Sequence, residues 1–153
     1  MEALVYEDES GNKTLFNPLN IHSVRVEWKE RGSELEVVVQ SIHTNNRVSV
    51  VRKVDGISGR KDVEENIVRC MKSAGDIRFP MHPAVAKDID GEATVFINPN
   101  VLFEVKMQKT DADRWEVMAF DIYGNKVVNL DIELQTAANV MFSCYKDSIQ
   151  SMK

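Results

Sequence analysis

An α+β fold is what this sequence predicts, built as two tandem pseudo-duplicated ββ-βββ-α modules with antiparallel sheets, one C-terminal helix per module and a shared core. Three observations carry that expectation. Short motifs recur 79 to 81 residues apart: Thr14-Leu15-Phe16-Asn17-Pro18 returns as Thr94-Val95-Phe96-Ile97-Asn98-Pro99, and Leu35-Glu36-Val37-Val38 as Trp115-Glu116-Val117-Met118. Apolar residues alternate with polar ones in both halves, the period of half-buried strands. Each half then ends in a stretch with helical spacing.

The first hairpin of each module runs from Ala3 to Tyr6, turns at Ser10-Gly11-Asn12 and returns through Thr14 to Phe16; its counterpart runs from Ala84 to Lys87, turns at Asp90-Gly91 and returns through Thr94 to Ile97. The Asn-Pro that follows should stop each second strand, because proline has no amide hydrogen for the ladder. A three-stranded meander comes next. Val24, Val26 and Trp28 alternate with Ser23, Arg25 and Glu27, as Phe103, Val105 and Met107 do with Glu104, Lys106 and Gln108. The polar turns Lys29 to Ser33 and Lys109 to Asp113 lead to Leu35-Val37-Val39 and Trp115-Val117-Ala119. Turns at His43 to Asn46 and Tyr123 to Lys126 lead to Val48-Val50 and Val128-Leu130; connections this short join antiparallel neighbours. Trp28, Phe103 and Trp115 fall on the inward series, where core packing is their expected role.

The closing helices are expected over residues 62–74 and 136–149. Asp62-Val63-Glu64-Glu65 has capping-box form, with Asp62 as N-cap, and Thr136 takes the matching place. Val63, Ile67, Cys70, Met71 and Ala74 form one apolar stripe; Ala137, Met141, Cys144, Tyr145 and Ser148 form the other. Both cysteines are read as small apolar core residues. The modules span residues 1–75 and 84–153, joined by an extended linker, 76–83, that contains Pro80 and Pro83. One module of this size has a thin core, so the two should pack into one compact domain.

Hydrophobic residues make up 43% and charged residues 28% of the 153, the balance of a water-soluble globular chain. The net charge of −5 opposes nucleic acid and anionic membrane unless a local basic patch intervenes. No stretch is apolar enough for a signal peptide or a membrane span, and two cysteines are too few for a secreted disulfide scaffold. A cytoplasmic address follows as the expectation.

The copies differ at one place. The offset falls from about 80 residues to 74 between Cys70 and Cys144, so six residues are surplus in the first copy. They lie within 52–61, where Arg52, Lys53, Arg60 and Lys61 surround Gly56, Ser58 and Gly59 directly before the expected helix. Glycine backbone, clustered cations and a helix N-terminus together suit a phosphate group. The string matches neither of the glycine-rich nucleotide fingerprints.

Other constellations are thinner. Asp88, Asp90 and Glu92 open like a calcium loop but lack its later ligands, so they are read as a polar hairpin end. His22-Ser23 and His43-Thr44 place a hydroxyl beside each imidazole, but adjacent strand residues point to opposite faces, so no shared chemistry is expected. His82 lies in the linker, and neither a zinc spacing nor a local Ser/His/Asp motif is present. No cofactor, metal or catalytic residue is assigned.

The expectation is therefore a non-catalytic cytoplasmic binding protein that recognises a phosphate-bearing ligand, nucleotide or nucleic acid, through Arg52, Lys53, Gly56, Ser58, Gly59, Arg60 and Lys61. A protein-interaction module using sheet edges or helix 136–149 is the alternative, and a metal-dependent phosphoesterase ranks third. Edge pairing into a homo-oligomer is consistent with either binding reading.

Overall fold

The structure is a computed structural model that describes residues 2–8, 10–44, 46–75, 83–87 and 93–150. The first half holds β1 (Leu4–Glu7), β2 (Lys13–Phe16), β3 (Ile21–Glu30), β4 (Glu34–Ser41), β5 (Arg47–Lys53) and α1 (Gly56–Ser73). The second repeats that order: β6 (Ala84–Lys87), β7 (Ala93–Ile97), β8 (Leu102–Lys109), β9 (Trp115–Asp121), β10 (Lys126–Ile132) and α2 (Gln135–Gln150). The fold is α+β, with antiparallel pairing and one helix after each group of strands.

Asn-Pro ends β2 and β7 as its chemistry requires. Each pair opens a short 3-10 turn, Pro18–Asn20 or Pro99–Val101, with the proline in the first turn. The asparagine carbonyl accepts from the amide two residues on: Asn17 from Leu19 at 3.0 Å and Asn98 from Asn100 at 3.0 Å.

Strand order departs from two separate modules. β5-β4-β3-β7-β6 form one five-stranded sheet, β10-β9-β8 a three-stranded sheet and β1-β2 a two-stranded one. The second half's hairpin thus completes the first half's sheet, β7 running antiparallel along β3 from Ser23↔Ile97 to Glu27↔Ala93. Because successive strand residues point to opposite faces, β7 serves two apolar clusters. Phe96 packs with Val24, Val26, Leu35, Val37 and the buried face of α1; Ile97 packs with Val101, Val117, Ala119, Leu130 and Tyr145. The halves are joined through a shared strand lying between these two clusters.

Helix α1 starts earlier than the capping box at Asp62 implies. Asp55 is the N-cap, without a side-chain cap bond, and Gly56 enters the helix at φ +64. Tertiary anchors outweigh the poor helix propensity of two glycines. The amides of Val54 and Gly56 donate to Ser33 and Gly32 at 2.9 and 3.0 Å, pinning the connection to the β3–β4 turn. Arg60–Glu64 and Lys61–Glu65 then pair one turn apart. The six-residue excursion expected before this helix is not found: α1 and α2 each begin directly after their last strand, at Gly56 and Gln135, and residues 56–61 are the first turns of α1.

Two inward assignments also change. Phe103 is 77% exposed, because the register shifts between Leu102 and Glu104 and a bulge turns the side chain out. Helix α2 buries Tyr145 and Ser148 and packs Met141 against the core as expected, but Ala138 is buried in place of Ala137, and Cys144 lies at the outer edge of the stripe. Cys144 is consequently exposed while Cys70 is buried, and both are free thiols. The linker residues 76–82 and the acidic hairpin end Asp88, Asp90 and Glu92 lie outside the described residues.

Gly59 has a packing role inside α1. A Cβ there would stand 3.0 Å from the Val54 Cβ and 3.4 Å from its backbone carbon. Gly59→Ala gains about 1 kcal/mol of helix propensity but adds overpacking of about 1–3 kcal/mol. The expected result in urea unfolding is a net loss of about 1 kcal/mol, whereas Ser58→Ala on the exposed face is neutral or stabilising.

Candidate functional site

The residues singled out at 52–61 are placed on different sides of α1. Arg52 and Lys53 end β5 on the surface, with the Arg52 guanidinium 5.9 Å from the Tyr6 ring centre. They share a cleft of about 450 Å³ with Gly59, Asp62, Glu65 and Asn66, so carboxylates stand beside the cations. Gly56, Arg60 and Lys61 border a separate groove with Trp28, Glu64 and Phe96. Ser58 is exposed. The four cations are divided because Arg52 and Lys53 end a strand while Arg60 and Lys61 stand on the helix, and the two pairs border different clefts.

Arg60 is engaged by the protein itself. It is 8% exposed and donates to the Val26 carbonyl at 3.3 Å, the Thr94 hydroxyl at 3.2 Å and the Glu64 carboxylate at 3.2 Å. Its guanidinium also lies 5.2 Å from the Trp28 ring centre. With Val26 on β3 and Thr94 on β7, this side chain fastens α1 across the joint between halves.

Polar groups do converge on the other face of the five-stranded sheet. Ser23 and Arg25 of β3, Gln40 of β4 and Arg47 of β5 line a cleft of about 570 Å³ with Asp121, Asn125 and Lys126. The strands present these groups because they alternate with core residues: Val24 and Val26 point inward between Ser23, Arg25 and Glu27. The far wall is the β9–β10 turn, which reverses at Gly124 with φ +84. Arg25 is partly offset by Glu27 at 3.6 Å.

A buried polar set anchors that turn to β3. His22 Nε2 is 3.1 Å from Asp121 Oδ2, and His22 Nδ1 is 2.9 Å from Ser23 Oγ. The adjacent hydroxyl does reach the imidazole, contrary to the alternation argument, because β3 is bulged between Ile21 and Ser23. A carboxylate can only accept, so Nε2 carries the hydrogen in the bond to Asp121, and Nδ1 shares the second hydrogen bond with the Ser23 hydroxyl. Asp121 Oδ1 accepts from the Tyr123 and Asn125 amides at 2.9 and 2.8 Å, and Tyr123 Oη donates to the Ile42 carbonyl at 2.9 Å. Burial alone would raise the Asp121 carboxyl; the Asn125 amide, the His22 ring and the Tyr123 amide outweigh it and hold the group below the usual carboxylate range.

Sequence reasoning missed Arg25, Arg47 and Lys126 as a set, because only the docking of the β9–β10 turn brings them together. The available signal was weak: Arg25 and Lys106 take matching wet-face positions in the two halves, but each stands beside a glutamate, Glu27 or Glu104. Among the described residues no group of three His, Cys, Asp or Glu could hold a metal ion, and no helix is long and apolar enough to cross a membrane. No family model matches the chain, and no curated protein matches it.

Two consequences are measurable. A carboxyl held low in the folded state stabilises fully above its unfolded value of about 3.9 and loses that contribution as pH falls through the folded value. Asp121→Asn should therefore cost about 2 kcal/mol at neutral pH and flatten the acid limb of stability below about pH 4, read by urea unfolding across pH. Arg60→Ala should cost about 3 kcal/mol, since it leaves buried acceptors unpaired, while Lys61→Ala should stay within about 0.5 kcal/mol.

Proposed function

We propose that this is a non-catalytic binding protein that takes a small phosphate-bearing ligand, of nucleotide class, in the cleft between the outer face of the five-stranded sheet and the β9–β10 turn. One observation carries the reading. Arg25, Arg47 and Lys126 line a single cleft whose one carboxylate, Asp121, is already engaged by His22 and two backbone amides. In a chain of net charge −5 that is a local reversal of sign, which favours an anion there and disfavours extended nucleic acid elsewhere on the surface. A volume of about 570 Å³ falls in the size class of small-molecule sites, roughly 300–1,000 Å³. Gln40 and Asn125 add amide donors for phosphate or sugar oxygens.

The reading moves the anion site away from residues 52–61, where Asp62 and Glu65 oppose it and Arg60 is engaged. A cytoplasmic address belongs to the same proposal: the free thiols Cys70 and Cys144 suit a reducing compartment. A protein-interaction role is the second reading, favoured by exposed Leu134, Val140 and Ile149 in and beside α2.

Calorimetric titration with inorganic phosphate, pyrophosphate and ATP tests the proposal. The expected result is saturable binding of at least one probe, weakened by added salt, with affinity lowered at least tenfold by the double variant Arg47→Ala, Lys126→Ala and unchanged by Lys61→Ala. Absence of heat with all three probes, or a double variant that binds as tightly as the parent, would overturn it.

A further inference from the structure

We propose that the chain assembles head to tail with further copies of itself, the β1–β2 hairpin of one copy pairing along the free edge of β8 in the next. The inference is independent of the anion cleft. It rests on a joint already made once inside the molecule, whose two surfaces occur a second time without being joined.

Inside the chain, the β6–β7 hairpin lies along β3, and its side facing the first half places Phe96 in that half's core at 2% exposure. Just beyond it the Asn98 amide donates to the His22 carbonyl at 2.9 Å and the Asn98 side chain to the Ile21 carbonyl at 3.0 Å. The β1–β2 hairpin has the same internal register, Leu4↔Phe16 and Val5↔Leu15 against Ala84↔Ile97 and Val85↔Phe96. It also ends in the same asparagine-capped 3-10 turn. Among the described residues, however, β2 pairs with β1 alone. Leu15, in the place of Phe96, is 68% exposed, and Val5, in the place of Val85, is 44% exposed.

The receiving surface is also duplicated. β8 carries its bulge between Leu102 and Glu104, as β3 does between Ile21 and Ser23, and follows the same kind of turn. β3 has strand neighbours on both sides; among the described residues β8 is the edge of its sheet. Phe103 is 77% exposed where its counterpart His22 is 1% exposed, and Val105 and Met107 are half-buried where Val24 and Val26 are fully buried. Both unjoined surfaces are therefore apolar at the positions that the internal joint buries. An open edge with an apolar face is unstable against pairing, and the complementary strand is on the same polypeptide.

Carrying the internal register over sets Phe16 of the next copy opposite Glu104, and Leu15 of the next copy opposite Val105. The two surfaces differ from each other, so the contact is heterologous: each copy donates a hairpin at one end and accepts one at the other. Such contacts give a closed ring or an open filament rather than a two-fold dimer.

The test uses the full chain and two variants of exposed residues, Leu15→Arg on the hairpin and Phe103→Arg on the β8 edge, each checked by circular dichroism for retained fold. Sedimentation velocity of the parent over a concentration series should give species larger than a dimer. Each variant alone should be monomeric or much reduced in mass. Mixed in equal amounts they should form a dimer and nothing larger, because the hairpin left intact on the Phe103→Arg chain docks on the edge left intact on the Leu15→Arg chain. A parent that is monomeric throughout, variants that assemble like the parent, or a mixture that stays monomeric would overturn the proposal. If Leu15→Arg does not fold, Val5→Arg on the same hairpin face takes its place in the same mixing experiment.

Discussion

The antiparallel ladder between β3 and β7 determines where nearly everything else lies. Five residues of each strand face one another across it, from Ser23↔Ile97 to Glu27↔Ala93. Because strand side chains alternate, a single pairing sends Phe96 under α1 and Ile97 into the second cluster, so the two cores are oriented by one set of backbone hydrogen bonds. The turn at Pro99–Val101 then fixes where β8 departs, and through β9 it brings Asp121 to His22.

Register at this joint is guarded by polar groups that have one good arrangement each. Arg60 reaches Val26 and Thr94, Asn98 reaches Ile21 and His22, and Asp121 holds His22 while closing its own turn. A slip of one residue would turn Phe96 to the wrong face and leave several of these groups buried without partners. Burial of Phe96 favours association by about 1.5–3 kcal/mol without specifying its register; the buried polar set penalises the alternatives. Stability and specificity here come from different residues of the same interface.

Local rules read the elements well and their partners poorly. The alternation of Val24 and Val26, and of Val117 and Ala119, places these side chains inward as expected, and the Asn-Pro pairs end strands as expected. These are properties of a few neighbouring residues. The start of α1 was not legible, because Gly56 and Gly59 argue against a helix and the anchors at Gly32 and Ser33 belong to a distant turn. Phe103 and the relation of His22 to Ser23 departed from expectation for one reason: a bulge breaks the period of two, and bulges leave little trace in composition. The cleft was illegible for a third reason. Arg25, Arg47 and Lys126 sit on unremarkable wet faces, and only the docking of the β9–β10 turn makes them neighbours.

That docking also explains why a cationic cleft is compatible with a stable acidic protein. Arg25 and Arg47 stand on β3 and β5, either side of β4, and Lys126 begins a strand tied down by Asp121, so strand pairing fixes the backbone from which each side chain projects. Glu27 relieves Arg25, but like charges held around one cleft still oppose the fold. An anion bound there removes that opposition only in the native state, so its binding energy adds directly to stability. Loop-borne cations could relax apart and lose this coupling. Cations mounted on strands hold their backbone positions, so the proposed binding at this cleft would be coupled to the integrity of the joint between the halves.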